Sequence, residues 1–102
     1  MMKNITPVEL EKIVVDDENA VLIDVRSPEE CAEGMIPGAE NINLFDPDFI
    51  DRIKELDKSK DYYMICRSGG RSGNAAGAMD ELGFKSVHNM VGGMMAWKGE
   101  TI

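Results

Sequence analysis

Cys66 is one of two cysteines in the chain, and the residues next to it in sequence indicate that it could be a reactive group. It lies in the segment YYMICRSGGRSGNAAGAM, residues 62–79, which contains no acidic residue although the whole chain has a formal net charge of −8 at pH 7. The positions after the cysteine are filled by arginines, serines and glycines: Arg67, Ser68, Gly69, Gly70, Arg71 and Ser72. This composition is typical of a loop that holds negative charge.

The glycines of this loop allow several backbone N–H groups to point toward one place. Gly69 and Gly70 have no side chain to block close approach, and both can adopt positive φ. Together with the positive end of a following helix, these donors form an anion site. If the anion is the sulfur of Cys66, the donors and the charges of Arg67 and Arg71 favour the thiolate and lower its pKa from about 8.5. The sequence therefore predicts a nucleophilic thiolate.

A cysteine at the end of a buried strand is also commonly a small packed side chain, and glycine-rich turns between strands and helices occur without catalysis. For Cys66 this second interpretation competes with the first. The arginines of the loop, with no neighbouring acid to neutralise them, favour the reactive thiolate.

Length and composition restrict the class of protein. A chain of 102 residues suffices for one hydrophobic core, so residues 1–102 are predicted to form a single domain. Hydrophobic residues make up 43% and charged residues 29%, which is typical of a folded globular domain. The net charge of −8 argues against nucleic acid or an anionic membrane as the main partner, because either needs a basic face.

The first residues and the two cysteines of the chain bear on the cellular compartment in which the protein is expected. The first residues, MMKNITPVEL, resemble no secretion signal, and no apolar stretch is long enough to span a membrane. We therefore expect a cytoplasmic protein without a membrane partner, in which both cysteines are reduced thiols.

Helix starts and apolar runs alternate along the chain. Capping signals with proline at the first helical position begin at Thr6, Ser27 and Asp46. Short apolar runs typical of strands occupy residues 20–25, 40–44, 61–66 and 86–90. The alternation predicts an α/β fold with a mostly parallel sheet covered on both faces.

This arrangement places Cys66 at the carboxyl end of a central strand, where ligands bind in open α/β sheets. A helix is predicted to follow it from about Ser72 to Leu82 and to stop at Gly83. Residues 91–99, VGGMMAWKG, are predicted to form a Gly-Gly turn and a short helix with Trp97 on its apolar side.

With these segments in place, the chain resembles a single-domain rhodanese, a sulfurtransferase. The resemblance is carried by LIDVRSPEECAEGMIPGAENINL at 22–44, CRSGGRS at 66–72 and VGGMMAWKG at 91–99, in the order typical of the family. It implies a rhodanese-like α/β fold with a central, mostly parallel sheet of about five strands. It also implies a cysteine that takes a sulfane sulfur from a small anionic donor, such as thiosulfate, as a persulfide and passes it to cyanide or a thiol, without metal or organic cofactor.

Residue by residue, the resemblance assigns the persulfide to Cys66. Arg67 and Arg71 would bind the anionic donor and stabilise the leaving sulfite. Asp24 and Arg26 match positions that mainly brace the site through buried polar contacts. The persulfide would be held by backbone amides of the loop, namely those of Ser68, Gly69, Gly70, Arg71 and Ser72.

The sequence departs from the family pattern at Cys31, where an aromatic residue is common, and at Met35, where histidine is common. Neither position takes part in bond making. Cys31 could resolve the persulfide into a disulfide, although packing is the more usual role of a thiol on an apolar helix face. His88 is expected to be structural or exposed.

Two alternatives remain. Cysteine phosphatases and arsenate reductases use a similar loop, but with five residues between cysteine and arginine, whereas four separate Cys66 from Arg71 here. A rhodanese module that binds partners, or relays a persulfide between proteins without turnover, would have the same sequence signatures.

Overall fold

The computed structural model describes residues 2–102 and has an α/β architecture. The strands are β1 (Lys3–Ile5), β2 (Ala20–Asp24), β3 (Glu40–Asn41), β4 (Asp61–Ile65) and β5 (Ser86–Met90). The helices are α1 (Pro7–Asp16), α2 (Pro28–Ala32), α3 (Phe49–Lys54), α4 (Gly70–Glu81) and α5 (Gly93–Ala96). Among the described residues the strands form one sheet in the order β1-β5-β4-β2-β3, and each pairing is parallel.

Strand β4, which leads into the cysteine loop, lies at the centre of the sheet between β2 and β5. Its residues alternate between two buried clusters: Tyr62 and Met64 face one, and Tyr63 and Ile65 face the other. A strand that is apolar on both sides must be covered on both sides, which explains the continuous apolar run in its sequence.

Helices cover both faces, as predicted. On one face the cluster includes Phe49 and Ile53 of α3 with Ala75 and Met79 of α4. On the other face Leu10 of α1 packs in the second cluster, with Met94 and Trp97 from the last segment against it. The sheet therefore fixes the end of β4 between two layers of helices.

The capping signals at Thr6 and Ser27 form as the sequence predicts. Each side chain accepts a hydrogen bond from the backbone N–H of the third helical residue, Glu9 or Glu30, whose carboxylate accepts from the cap's own N–H. The third predicted start was wrong. Helix α3 begins at Phe49 with Asp48 as its cap and without a side-chain capping bond, because residues 44–48 form turns and a bend instead.

Other boundaries differ by a few residues. Strand β1 was not predicted, because three residues are too short for a periodic signal. The run at 40–44 contributes only Glu40–Asn41 as a strand. Helix α4 starts at Gly70, two positions before the predicted Ser72, and ends before Gly83, whose φ of +92° fits the predicted stop. No helix within residues 2–102 has the length and apolar character needed to cross a membrane.

Candidate active site

The sulfur of Cys66 is buried directly after β4 and faces the amino-terminal end of α4. Its Sγ atom accepts a hydrogen bond from the Gly69 N–H at 3.0 Å. The hydroxyl of Ser72, whose Oγ lies 3.3 Å from the same sulfur, can donate a second. The chain after the strand thus folds back so that its donors converge on one atom.

The loop closes because of a left-handed residue at Gly69, whose φ is +99°. A Cβ at this position would lie 3.2 Å from the backbone nitrogen of Gly92, so the site also lacks room for a side chain. Gly70, for which the sequence allowed positive φ, instead begins α4 with an ordinary helical φ. Backbone conformation therefore requires a glycine at position 69 but not at position 70.

These donors lower the pKa of Cys66 below the ordinary value of a cysteine thiol. Burial alone would raise the pKa, but it is outweighed by the hydroxyl and amide of Ser72 and by the amides of Gly69 and Ser68. From the sequence, part of the lowered pKa was expected from the arginines, and Ser72 was expected to contribute only its backbone amide. The structure attributes the lowered pKa mainly to hydrogen bonds, with the Ser72 hydroxyl foremost among them.

Asn89 of β5 is hydrogen-bonded to both Ser72 and Gly69, the residues that contact the sulfur. This role was not predicted from the sequence. Asn89 Oδ1 lies 2.5 Å from Ser72 Oγ, and Asn89 Nδ2 donates to the carbonyl of Gly69 at 3.1 Å. The Ser72 hydroxyl has one proton, so it can donate to Asn89 or to Cys66 but not to both at once. Asn89 therefore both braces the loop and competes for the proton that stabilises the sulfur.

Asp24 and Arg26 form a buried ion pair at the carboxyl end of β2. Arg26 Nη2 lies 2.7 Å from Asp24 Oδ2, and Arg26 Nε donates to Oδ1 at 2.9 Å. The guanidinium also donates to the carbonyls of Glu30 and Gly34, which fixes α2 and the turn after it. This geometry supports the bracing role expected of both residues.

Arg71 is paired with Glu30, although the sequence showed no acid near the loop. Arg71 Nη1 donates to Glu30 Oε1 at 2.8 Å and Nη2 donates to Oε2 at 2.7 Å. The hydrogen bonds from Arg71 lower the pKa of Glu30 to about 2, so the carboxylate stays charged at neutral pH. The expectation of two unneutralised arginines was wrong, because Glu30 reaches Arg71 from α2, 41 positions away in sequence.

Arg67 is exposed and belongs to neither of the ion pairs described within residues 2–102. It lines a cavity of about 360 Å³ beside the loop. The other lining residues come from three segments: Arg26, Glu30, Glu33 and Gly34, then Met94 and Met95, then Thr101. An anionic donor entering this cavity would meet the charge of Arg67.

The closing segment positions the loop through its backbone. The Met94 N–H donates to the carbonyl of Cys66 at 2.8 Å, and the Met95 N–H donates to the carbonyl of Arg67 at 3.0 Å. A Cβ on Gly93 would lie 2.4 Å from the Arg67 carbonyl oxygen. The Gly-Gly turn therefore allows α5 to lie directly on the chain that follows the cysteine.

The remaining candidates, Cys31 and His88, form no described hydrogen bond to the sulfur of Cys66. Cys31 is a buried free thiol whose pKa is raised by burial and by the charge of Asp24, which disfavours its thiolate form. His88 lies in β5, where its ring stacks on Tyr63 with centroids 4.4 Å apart and contacts the Tyr62 carbonyl through Nδ1. The contacts of His88 are those of a packed side chain rather than of a base at the loop.

Comparisons with known proteins agree with this fold and site. Residues 6–100 match the family described as the rhodanese-like domain. YtwF of Bacillus subtilis is 50% identical over 100 residues, which cover 98% of this chain and 94% of YtwF. A sulfurtransferase of Allochromatium vinosum is 35% identical over 97 residues, covering 95% of this chain and 89% of that protein.

A thiosulfate sulfurtransferase, GlpE of Pseudoalteromonas translucida, is 33% identical over 85 residues, covering 83% of this chain and 79% of GlpE. The crystal structure of a rhodanese-like domain protein from Staphylococcus aureus superposes with a TM-score of 0.85 at 33% identity, covering 97% of this chain and 94% of that one. The chain belongs to the rhodanese-like family. Its similarity to sulfurtransferases favours sulfur transfer over the phosphatase alternative.

Proposed function

We propose that this protein is a sulfurtransferase that accepts a sulfane sulfur on Cys66 as a persulfide and passes it to a thiol or to cyanide. The observation that carries the proposal is the convergence of the Gly69 amide and the Ser72 hydroxyl on a sulfur whose pKa is lowered. A site built to stabilise a thiolate supplies the nucleophile that sulfur transfer needs.

In the first half-reaction the Cys66 thiolate attacks the outer sulfur of a donor such as thiosulfate. The bond between the donor's two sulfurs breaks, its electron pair leaves with sulfite, and a new S–S bond forms on the enzyme. The persulfide's terminal sulfur then bears the negative charge. The amides of Ser68, Gly69 and Ser72 already act on Cys66, which supports the proposal that the amides of residues 68–72 hold that charge.

In the second half-reaction an acceptor attacks the terminal sulfur. Cyanide takes it as thiocyanate, whereas a thiolate takes it as a new persulfide, and in both cases the Cys66 thiolate is regenerated. Stabilising this thiolate makes it a better leaving group, so the same donors assist both half-reactions. No redox change beyond the exchange of sulfur between the two partners is needed.

The two arginines would have different roles. Arg67 lines the cavity and would attract the anion, while Arg71 would hold the mouth of the loop together with Glu30. The side chain of Cys66 is covered in this structure, with 0% of its surface exposed. A donor therefore reaches the sulfur only after the groups that cover it move.

A protein-to-protein persulfide relay is a second candidate, favoured by apolar side chains exposed beside the site. Met95 lines the cavity and is 71% exposed. Phe45 is also 71% exposed, and its ring lies 6.0 Å from the guanidinium carbon of Arg71. Exposed apolar residues around a reactive group suit a protein partner. In either role we propose that residues 1–102 act as one domain in the cytoplasm.

The test is to incubate the protein with thiosulfate and to measure its intact mass. We expect a gain of one sulfur that is removed by cyanide or a thiol. Cys66→Ser should abolish the gain, whereas Cys31→Ser, the matched change at the other thiol, should retain it. A sulfur adduct lost only in the Cys31 variant would move the assignment to that residue. Persulfide formation without steady turnover to small acceptors would favour the relay.

A further inference from the structure

The charges around the cysteine loop are nearly balanced before any substrate binds. Arg26 is neutralised by Asp24 at 2.7 Å, and Arg71 is neutralised by Glu30 at 2.7 Å. Arg67 and Glu33 are the other charged residues that line the cavity, and they have opposite signs. Once Cys66 is a thiolate, the site as a whole therefore holds a net negative charge.

The pairing also occupies the hydrogen-bonding fork of Arg71. Both terminal nitrogens of its guanidinium face the two carboxylate oxygens of Glu30, which is the bidentate geometry that binds an oxyanion most strongly. A sulfonate or sulfite group that needed the same fork would have to displace Glu30. Glu30 thus occupies the position on Arg71 that an anionic donor would otherwise take.

Glu30 is fixed in place by a second set of contacts. Its Oε1 also accepts hydrogen bonds from the backbone N–H and the hydroxyl of Ser27, at 3.1 and 3.2 Å. The capping box of α2 therefore holds the carboxylate toward Arg71, and the charge cannot move away without loss of the cap.

From this geometry we propose that Glu30 is a specificity-determining residue that disfavours dianionic donors such as thiosulfate relative to monoanionic sulfane-sulfur donors, namely thiosulfonates and persulfide anions. The proposal rests on the proposed function. With a thiosulfonate the Cys66 thiolate attacks the terminal sulfur, the bond to the sulfonyl sulfur breaks, and a sulfinate leaves with the electron pair. The chemistry matches that with thiosulfate, and the two donors differ by one unit of charge.

The experiment compares thiosulfate with benzenethiosulfonate, measured as kcat/KM with cyanide as acceptor, in the wild type and in Glu30→Gln. Glutamine can still accept the capping bonds from Ser27 but removes the charge. We expect the ratio of thiosulfate to benzenethiosulfonate activity to rise roughly fivefold in Glu30→Gln, because removal of a nearby negative charge favours the dianion more.

Two further variants separate the charge from other effects. Glu29→Gln, an exposed change on the same helix, should leave the donor ratio at its wild-type value. Glu30→Asp keeps the charge but shortens the side chain, so the ratio should stay near the wild type even if kcat falls. An unchanged ratio in Glu30→Gln, or an equal rise in Glu29→Gln, would overturn the proposal. If Cys66 formed no persulfide with either donor, the proposed function itself would fail instead.

Discussion

The hydroxyl oxygen of Ser72, in the first turn of α4, lies 3.3 Å from the sulfur of Cys66. A neutral hydroxyl and three backbone amides, rather than a histidine or a lysine, lower the pKa of this thiol. Because such donors do not titrate near neutral pH, the stabilisation of the thiolate should persist across the physiological range.

Replacing Ser72 by alanine should raise the pKa of Cys66, because it removes the hydroxyl that hydrogen-bonds to the sulfur. The thiolate fraction at neutral pH should fall accordingly. The pH dependence of alkylation by iodoacetamide, in a Cys31→Ser background, measures this pKa. Ser68→Ala is the control, because Ser68 acts through its amide, which the substitution keeps. Equal shifts in the two variants would exclude a role for the Ser72 hydroxyl.

Arg71→Ala should reduce kcat/KM for thiosulfate by about ten- to a hundredfold, the loss expected for one charge-assisted contact. It also leaves the carboxylate of Glu30 without its partner in the cysteine loop. The double variant Arg71→Ala/Glu30→Gln should therefore recover part of the loss. Steady-state kinetics of both variants test this coupling, and strictly additive effects would contradict it.

Arg67→Ala should also lower kcat/KM by about ten- to a hundredfold. The loss should appear mainly in KM, because Arg67 is exposed in the cavity and does not share its charge with a described partner. High salt should reproduce part of the loss in the wild type and little of it in the variant. A variant that kept its thiosulfate KM would exclude Arg67 from donor binding.

The pair of Glu30 and Arg71 should make stability depend on pH in the acid range. The pKa of Glu30 is about 2 in the folded protein, below the ordinary value of 4.5. The resulting stabilisation is present above pH 4.5 and is lost as the pH falls toward 2. Glu30→Gln should be less stable than the wild type by about 1 kcal/mol at pH 7, a modest value because the pair is partly exposed. Urea unfolding at pH 7 and pH 2.5 should show this difference shrinking; a constant difference would contradict the assignment.

Gly93→Ala should distort the loop and lower activity. The new Cβ would lie 2.4 Å from the Arg67 carbonyl oxygen, and the φ of +56° is unfavourable for alanine. A loss of stability of about 1–3 kcal/mol is expected from the overpacking. Gly77→Ala in α4 is the matched control, since its Cβ would meet nothing within 4 Å, and helix propensity should stabilise it by about 0.5–1 kcal/mol. Thermal unfolding and sulfurtransfer assays measure both effects. Normal activity in Gly93→Ala would contradict the role of close packing at α5.

The features that the sequence determined depend on neighbours along the chain. Capping boxes at Thr6 and Ser27 link residues three positions apart, and the apolar run before Cys66 is continuous, so each could be recognised locally. The helix stop at Gly83 likewise depends on its own backbone freedom. These local signals, with the parallel order implied by alternating strands and helices, were enough to place the cysteine at the end of a central strand.

Tertiary structure alone decided which side chains surround that cysteine. Glu30 meets Arg71 across 41 positions and Asn89 meets Ser72 across 17, because the sheet brings α2 and β5 to the loop at the start of α4. Glu30 already had a local explanation as a capping residue, so nothing in the sequence indicated a second partner. Local hydrogen bonds are encoded by spacing along the chain, whereas ion pairs between distant segments depend on how those segments pack. The sequence could therefore predict the nucleophile, but the charge balance around it depended on the fold.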